Sequence, residues 1–130
     1  MARAVIEPVL QHADARGVVL EPIASEAIGA QRNVHLVLTT PGAVRGNHYH
    51  ERGTEVAIVI GPGRVRLREE DGVRDVDVPD GAAWRFTMPP GVSHAFEAPG
   101  PGPLVIVSFN SVAHDRIAPD VVRDVLILRD

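Results

Sequence analysis

Short runs in which apolar and polar residues alternate are the feature of this sequence that most constrains its fold. In Arg64–Arg68 the apolar side chains share one face and the arginines share the other, which is the period of a half-buried strand. Similar runs recur about every ten residues with Gly, Pro or Asp between them, which predicts an antiparallel β-sandwich or barrel. The predicted strands cover residues 33–38, 55–60, 64–68, 73–78, 84–88 and 104–109. Only Glu21–Ala30 and Pro119–Leu128 are helix candidates.

The composition excludes several classes of site. The chain contains no Cys, so disulfides, thiolate nucleophiles and Cys-bound zinc are excluded. All 13 basic residues are Arg, which excludes a Schiff-base lysine and a P-loop lysine. The net charge is −4 and no basic face is clustered in the sequence, so we expect no nucleic acid as a partner.

Length and hydropathy predict one domain in solution. A chain of 130 residues suits a single core, and we expect residues 1–130 to form one domain. No apolar run reaches the roughly 18 residues of a membrane span, and Glu7 and Pro8 interrupt the N-terminal stretch before a signal-peptide core develops. We therefore expect a cytoplasmic protein that takes a small-molecule substrate and has no membrane partner.

Three histidines and a glutamate carry the chemistry of the sequence. His48 and His50 are two residues apart, so on a strand their side chains project from the same face. Four residues then allow a turn before Glu55 begins the next predicted strand, and His94 follows the rigid Pro89–Gly91 turn. We expect these four side chains to converge as ligands of a divalent transition metal, because three imidazoles and one carboxylate suit such an ion.

The ligand types do not select one metal. Zinc, iron(II), manganese, nickel and copper all accept imidazole, and no thiolate is present to narrow the choice. The remaining histidines, His12, His35 and His114, are expected at the surface or in ordinary hydrogen bonds. His35 has a second interpretation, since it lies on a predicted strand and could project into the barrel.

Two segments of the sequence resemble the motifs of the cupin family. Gly42-x5-His48-x-His50-x4-Glu55-x5-Gly61 is similar to the first motif, and Pro89-x-Gly91-x2-His94 is similar to the second. The last spacing of the first motif is one residue shorter than usual, and Ala98 stands where the second motif ends in Asn. Motif 1 covers about residues 42–61 and motif 2 about residues 81–98. The resemblance implies an all-β cupin jelly-roll barrel of antiparallel strands, and a homodimer.

A narrower resemblance links the chain to enzymes of nucleotide-sugar chemistry. Val44–His50, Glu55 and Pro89–His94 resemble the C-terminal cupin domain of capsular-polysaccharide UDP-sugar reductases, which implies an epimerase acting at C3 of a keto sugar. Asp14–Gly17 and Val44–His48 are similar, more distantly, to dTDP-4-keto-6-deoxyglucose 3,5-epimerases, and Arg45-Gly46-x-His48-x-His50 resembles the dTDP-hexulose 3,4-ketoisomerases. Those two families work without a metal and lack the carboxylate found here at Glu55, so Glu55 favours the metal-containing relative.

The chemistry that these families share is the removal of a proton next to a ketone. The developing enolate must be stabilised by a metal or by hydrogen-bond donors, and a base must take up the proton. If a metal occupies all four ligands, His48 is not free to act as the base, and His35 is the candidate. If the site is metal-free, His48 is itself the base. The sequence leaves both readings open.

Two arginines are candidates for binding the diphosphate of such a substrate, because guanidinium groups bind phosphate through paired hydrogen bonds. Arg45 adjoins the predicted site, and Arg85 lies between Trp84 and Phe86. We therefore predict an epimerase or isomerase of a keto nucleotide sugar, or of a related small keto compound. The alternatives are a metal-dependent cupin oxygenase and a non-catalytic barrel that binds a sugar or effector.

Overall fold

The computed structural model describes residues 2–129, and within that range the regular secondary structure is almost entirely β. The one α-helix of this range, α1, covers Ser25–Ile28. The strands are β1 (Val5–Pro8), β2 (Leu10–Asp14), β3 (Gly17–Glu21), β4 (Asn33–Thr39), β5 (Val44–His50), β6 (Glu55–Ile60), β7 (Gly63–Glu69), β8 (Gly72–Val78), β9 (Ala83–Met88), β10 (Ser93–Glu97), β11 (Leu104–Asn110) and β12 (Val121–Arg123). The all-β prediction is confirmed, and each predicted strand is present.

Two antiparallel sheets form the barrel. The first has the strand order β1-β9-β6-β11-β4, and the second has the order β12-β5-β10-β7-β8. The apolar faces of both sheets meet in one core, in which Phe86 of the first sheet and Leu67 of the second are fully buried. Alternation along each strand places these side chains inside because successive residues project to opposite faces. The hairpin of β2 and β3 is a separate two-stranded sheet.

Strand β5 contains a bulge that the sequence pattern does not predict. Its neighbour β10 pairs His94 with His48 but Ala95 with Gly46, so Asn47 is the extra residue. Gly46 has a φ of 88° and Asn47 a φ of 59°, both in the left-handed region. A Cβ at residue 46 would lie 2.7 Å from the main-chain oxygen of His94, so only glycine fits there. The extra residue reverses the face on which Arg45 projects.

The C-terminal segment contains no helix, and the helix prediction for Pro119–Leu128 is wrong. Val121–Arg123 instead pair with β5, and the side chain of Asn47 binds the backbone further along. Its Oδ1 accepts hydrogen bonds from the amides of Leu126, at 2.8 Å, and Ile127, at 3.0 Å. The barrel thereby satisfies backbone groups that a helix would have paired internally. In the other helix candidate, Glu21–Ala30, only the four residues of α1 are helical.

No helix within residues 2–129 is long and apolar enough to cross a membrane.

Candidate active site

The four residues singled out by their spacing lie together inside the barrel. His48 and His50 come from β5, His94 from the adjacent β10, and Glu55 from β6 of the facing sheet. One potential ligand atom from each residue lies within 4.8 Å of the others. Nε2 of His50 is 2.7 Å from Oε1 of Glu55, and Nε2 of His94 is 3.2 Å from the same oxygen. Side chains from two sheets therefore converge on one point.

Main-chain carbonyl groups fix the orientation of two of the imidazoles. Nδ1 of His50 lies 3.1 Å from the carbonyl oxygen of Asp120, and Nδ1 of His94 lies 3.2 Å from that of Val92. A carbonyl oxygen only accepts, so each Nδ1 carries the proton that it donates. Each Nε2 then faces the centre of the cluster. Glu55 is held in turn by the hydroxyl of Ser108, which donates to Oε2 at 2.9 Å.

The charges of the cluster are strongly coupled. Burial raises the pKa of Glu55, but the nearby His94 and the hydrogen-bonded His50 lower it more, so the carboxyl group is ionised well below its usual range. Burial, together with the neighbouring His94, lowers the pKa of His48 to about 4, which leaves this imidazole neutral at pH 7. Burial also lowers the pKa of His50, but the hydrogen bond and negative charge of Glu55, together with Asp120, outweigh burial and the net shift is upward.

The donor set fits a divalent transition metal. Nε2 of His94 is buried and has no hydrogen-bond partner among the described residues, because its 3.2 Å approach to Glu55 is too poorly aligned to form one. An unpartnered buried nitrogen is costly unless something binds it. Imidazoles whose Nδ1–H donates to a carbonyl group, as in His50 and His94, are also typical of metal-ligating histidines.

A cavity of about 300 Å³ opens onto the cluster. Its walls are mostly apolar, with side chains such as Val37, Phe96 and Ile106. His94 and Glu55 lie at its buried end, whereas Arg45 and His35 are exposed and lie at its opening. The volume is at the lower end of the range of about 300–1,000 Å³ that is usual for small-molecule sites. The cavity therefore suits a ring-sized group, with the rest of a larger ligand left outside.

Both residues proposed from sequence as bases line this cavity, but only one of the two proposed arginines does. Arg45 is turned to the side of His48 by the bulge in β5, and within residues 2–129 it forms no ion pair. Arg85 projects from the outer face of β9, opposite the buried Phe86, and pairs with Glu7 at 3.0 Å. The structure therefore does not bring Arg85 to the site, because strand alternation directs it away from the barrel interior.

The sequence analysis missed three residues of the site. Ser108 supports Glu55, Asp120 contacts His50 through its main chain, and His114 lines the cavity with its ring centroid 6.5 Å from that of His35. A signal for Ser108 exists in the sequence, since it is polar at a core-facing position of an otherwise apolar strand. Asp120 and His114 lie in the irregular chain between β11 and β12; His114 is exposed, as expected from the sequence, but its place beside the cavity was not predicted.

The antiparallel barrel, with three histidines and a glutamate converging on one point inside it, has the cupin fold that the two motifs predicted. The sequence model of the polysaccharide biosynthesis C-terminal domain matches residues 12–122, and the chain belongs to this family. Comparison with curated proteins finds no match.

Solved structures with the same fold include enzymes that act on nucleotide sugars. The 3,4-ketoisomerase QdtA of Thermoanaerobacterium thermosaccharolyticum, in complex with TDP, is 21% identical with a TM-score of 0.73, over 93% of this chain and 87% of that one. ChmJ of Streptomyces bikiniensis, a 3'-monoepimerase in complex with dTDP-quinovose, is 17% identical with a TM-score of 0.77. The match covers 92% of this chain and 68% of ChmJ.

A third similar structure is much longer than this chain. The capsular polysaccharide assembling protein CapF of Staphylococcus aureus is 24% identical with a TM-score of 0.68, over 92% of this chain and 33% of CapF. At these identities the three likenesses establish the fold, and the function is argued below from the site.

Proposed function

We propose that this chain is a metal-dependent epimerase or isomerase of a keto nucleotide sugar. The observation that carries the proposal is the convergence of four ligand atoms within 4.8 Å at the buried end of a cavity of about 300 Å³. The arginine and the histidine at the exposed end, Arg45 and His35, complete the set of groups that such a reaction requires. Membership of a polysaccharide biosynthesis family supports the same class of substrate.

The cluster would hold the metal through Nε2 of His50 and His94, a ring nitrogen of His48 and the Glu55 carboxylate. A divalent ion bound there supplies Lewis-acid stabilisation of the oxygen that becomes negative when a ketone enolises. Ser108 and the two main-chain carbonyls hold the ligands in place before the ion arrives. The apolar walls exclude water from the sugar ring, which strengthens charge interactions within the cavity.

His35 is the proton-transferring residue in this proposal. All four members of the cluster are used as ligands, whereas His35 reaches the same cavity from β4 of the facing sheet. Its imidazole takes the proton from the carbon next to the ketone, and the C–H electron pair passes into the enolate. If solvent water delivers a proton to the opposite face of that carbon, the carbon is inverted and His35 releases its own proton to solvent. If His35 instead gives its proton to the former ketone carbon, and the hydroxyl proton of the first carbon passes to the former ketone oxygen, the ketone moves to the first carbon. Imidazole suits this task near neutral pH.

Arg45 would bind the diphosphate of the substrate outside the ring-sized cavity. It is exposed beside the site and forms no ion pair within residues 2–129, so its guanidinium group is available to an anion. Arg85 is the matched control, because it is an arginine of the same barrel committed to Glu7 and to the carbonyl group of Pro22. We expect Arg45→Ala to weaken TDP binding at least 10-fold and Arg85→Ala to leave it unchanged. Equal losses in both variants would contradict the assignment.

Metal binding is tested first, by elemental analysis of tag-free protein purified without chelator. We expect one first-row transition metal per chain, and we expect His50→Ala to lose it while retaining a cooperative unfolding transition. His12→Ala is the control, because His12 lies on the β2–β3 hairpin and outside the cluster. Full metal occupancy in His50→Ala, or a wild-type protein that takes up no added metal, would refute the metal-dependent proposal.

Catalysis is tested by NMR in deuterated water with TDP-4-keto-6-deoxyglucose. The proposal predicts deuterium incorporation next to the ketone, and loss of that exchange in His35→Ala without loss of metal. If His48→Asn abolishes exchange in a metal-free protein, His48 is the base and the assignment of His35 is wrong. Dioxygen consumption with bound iron(II) would indicate an oxygenase instead, and binding without exchange would indicate a non-catalytic barrel.

We also propose that two copies of the chain associate through the outer face of β4. This edge strand pairs with β11, and the two strands present a continuous apolar surface. The side chains involved are Val34, Leu36 and Leu38 of β4, each more than half exposed, beside the half-buried Val105, Val107 and Phe109 of β11. A flat apolar face on an edge strand suits a symmetric partner with the same face.

Light scattering coupled to size exclusion tests this association. We expect the wild-type protein to elute with twice the mass of one chain and Leu36→Asp to elute as a monomer. Val73→Asp introduces the same charge at an exposed apolar position of β8 and is expected to stay dimeric. A monomeric wild-type protein, or a dimeric Leu36→Asp variant, would exclude this interface.

A further inference from the structure

The segment between β11 and β12 lies beside the site, and its last residue, Asp120, contacts the loop that joins His50 to Glu55. That loop, residues 51–54, joins His50 at the end of β5 to Glu55 at the start of β6. The Asp120 carboxylate accepts hydrogen bonds from the amide of Arg52 at 3.0 Å and from the amide of Gly53 at 2.8 Å. The side chain of Asp120 is only 9% exposed, so water does not readily replace these bonds.

The main chain of the same residue contacts a proposed ligand directly. The carbonyl oxygen of Asp120 accepts the Nδ1–H of His50 at 3.1 Å, which fixes both the tautomer and the ring orientation of that imidazole. One residue thus anchors the loop with its side chain and orients His50 with its backbone. The guanidinium group of Arg52 adds a pair with the carboxylate at 3.2 Å, but this arginine is 67% exposed, so the ion pair contributes little.

We propose that Asp120 is the residue that positions His50 for metal binding. The inference rests on the proposed function, because it requires that the cluster binds a metal. The carboxylate holds the Asp120 carbonyl group at a fixed distance from His50 by binding the loop that follows this histidine. Without the carboxylate, both the loop and the carbonyl acceptor can move relative to Glu55, and the ligands are no longer arranged in advance. Nothing else among the described residues hydrogen-bonds to Nδ1 of His50.

The test is calorimetric titration of metal-free protein with Zn²⁺. We expect Asp120→Ala to bind Zn²⁺ about 10- to 100-fold more weakly than the wild type, which is the usual effect of losing a partner that orients a ligand. Asp120→Asn retains one acceptor oxygen and should recover part of the affinity. Arg52→Ala keeps both backbone bonds and should bind within about twofold of the wild type.

A second aspartate of the same segment, Asp124, provides the control that distinguishes a positioning role of Asp120 from a purely structural one. Asp124 binds Ser93 and Arg68 and does not contact His50 or the 51–54 loop. Asp124→Ala should lower the melting temperature yet leave the visible absorption spectrum of bound Co²⁺ unchanged, whereas Asp120→Ala should alter that spectrum. If Asp120→Ala does not fold, the comparison of Asp120→Asn with Asp124→Asn decides the question by the same two measurements.

The outcomes separate this inference from the function on which it rests. If the wild type binds Zn²⁺ and both Asp120 variants bind it equally well, the positioning role is refuted and the metal site remains. The same holds if Asp124→Ala weakens binding as much as Asp120→Ala, because the effect would then come from the whole segment. If the wild type does not bind Zn²⁺, Co²⁺ or Mn²⁺, the metal-dependent function fails and the inference fails with it.

Discussion

Replacing Gly46 by alanine tests the bulge that shapes the site. Gly46 has a φ of 88°, and the added Cβ would lie 2.7 Å from the main-chain oxygen of His94 and 3.2 Å from Cα of Ala95. Both neighbours are backbone atoms of β10, which packs between β5 and β7 and has little freedom to move. The substitution therefore introduces two separate costs, a left-handed conformation and a steric contact.

The two costs can be estimated separately. A non-glycine residue in the left-handed region costs about 1–2 kcal/mol. Forcing an extra methyl group into a closely packed position costs about 1–3 kcal/mol more. We therefore expect Gly46→Ala to lower the free energy of unfolding by about 2–5 kcal/mol. Gly81 has a φ of 84° but open space around it, so Gly81→Ala should show only the conformational cost of about 1–2 kcal/mol.

The assay is equilibrium unfolding in urea, with the two variants and the wild type measured side by side. The difference between Gly46→Ala and Gly81→Ala isolates the contact with His94, which we expect to be at least about 1 kcal/mol. If this contact displaces β5, Gly46→Ala should also bind TDP more weakly, because Arg45 precedes the bulge. Equal destabilisation by both substitutions would refute the argument that close approach to β10 requires glycine at residue 46.

Three further predictions concern the core and the charges of the barrel. Phe86→Ala should lower the free energy of unfolding by about 3–5 kcal/mol in urea, since this ring is fully buried; a loss under about 1 kcal/mol would mean that the core is loosely packed. Thr39→Val should raise the free energy of unfolding by about 1 kcal/mol, because the buried Thr39 hydroxyl has no hydrogen-bond partner among the described residues. A lower free energy of unfolding in this variant would mean that the hydroxyl has a partner. The Ser93 hydroxyl and Arg68 lower the pKa of Asp124 below its ordinary value of 3.8. The ionised Asp124 therefore stabilises the fold above pH 3.8, and this stabilisation is lost as the pH falls below that value. Melting temperatures between about pH 5 and pH 2 should therefore fall less steeply in Asp124→Asn than in the wild type, and parallel curves would contradict this.

The members of the cluster could be predicted from the sequence because their geometry is local. Residues two apart on a strand share a face, so His48 and His50 needed no tertiary information. Glu55 follows His50 after one short turn, and His94 follows a rigid proline turn, so both were expected near the pair from their spacing. Their meeting depends on the fold, because His94 lies on β10, the antiparallel neighbour of β5, and Glu55 lies on β6 of the facing sheet. The strand periodicity determined the barrel in the same way, because alternation reports which face of each strand is buried.

The tertiary structure decided what lies around the cluster. Simple alternation directs Arg45 away from His48, and only the bulge at Gly46 and Asn47 turns it to the cavity. That bulge depends on a neighbouring strand and on the C-terminal segment, which binds Asn47 from about eighty residues away in sequence. Arg85 lies outside the site because strand alternation places it on the outer face of β9, where the fold brings Glu7 to pair with it.

The C-terminal segment shows the limit of local reasoning most clearly. Its sequence permits a helix, but its backbone groups find partners on β5 and on the side chain of Asn47, and no helix forms there. This path carries Asp120 to His50, a contact between residues 70 apart in sequence. The sequence by itself therefore determined six of the strands and the shared face of His48 and His50, and its motif spacing pointed to Glu55 and His94 as their partners. Only the folded chain decided which groups orient and surround them, because those contacts join distant segments whose partners exist only after the barrel has closed.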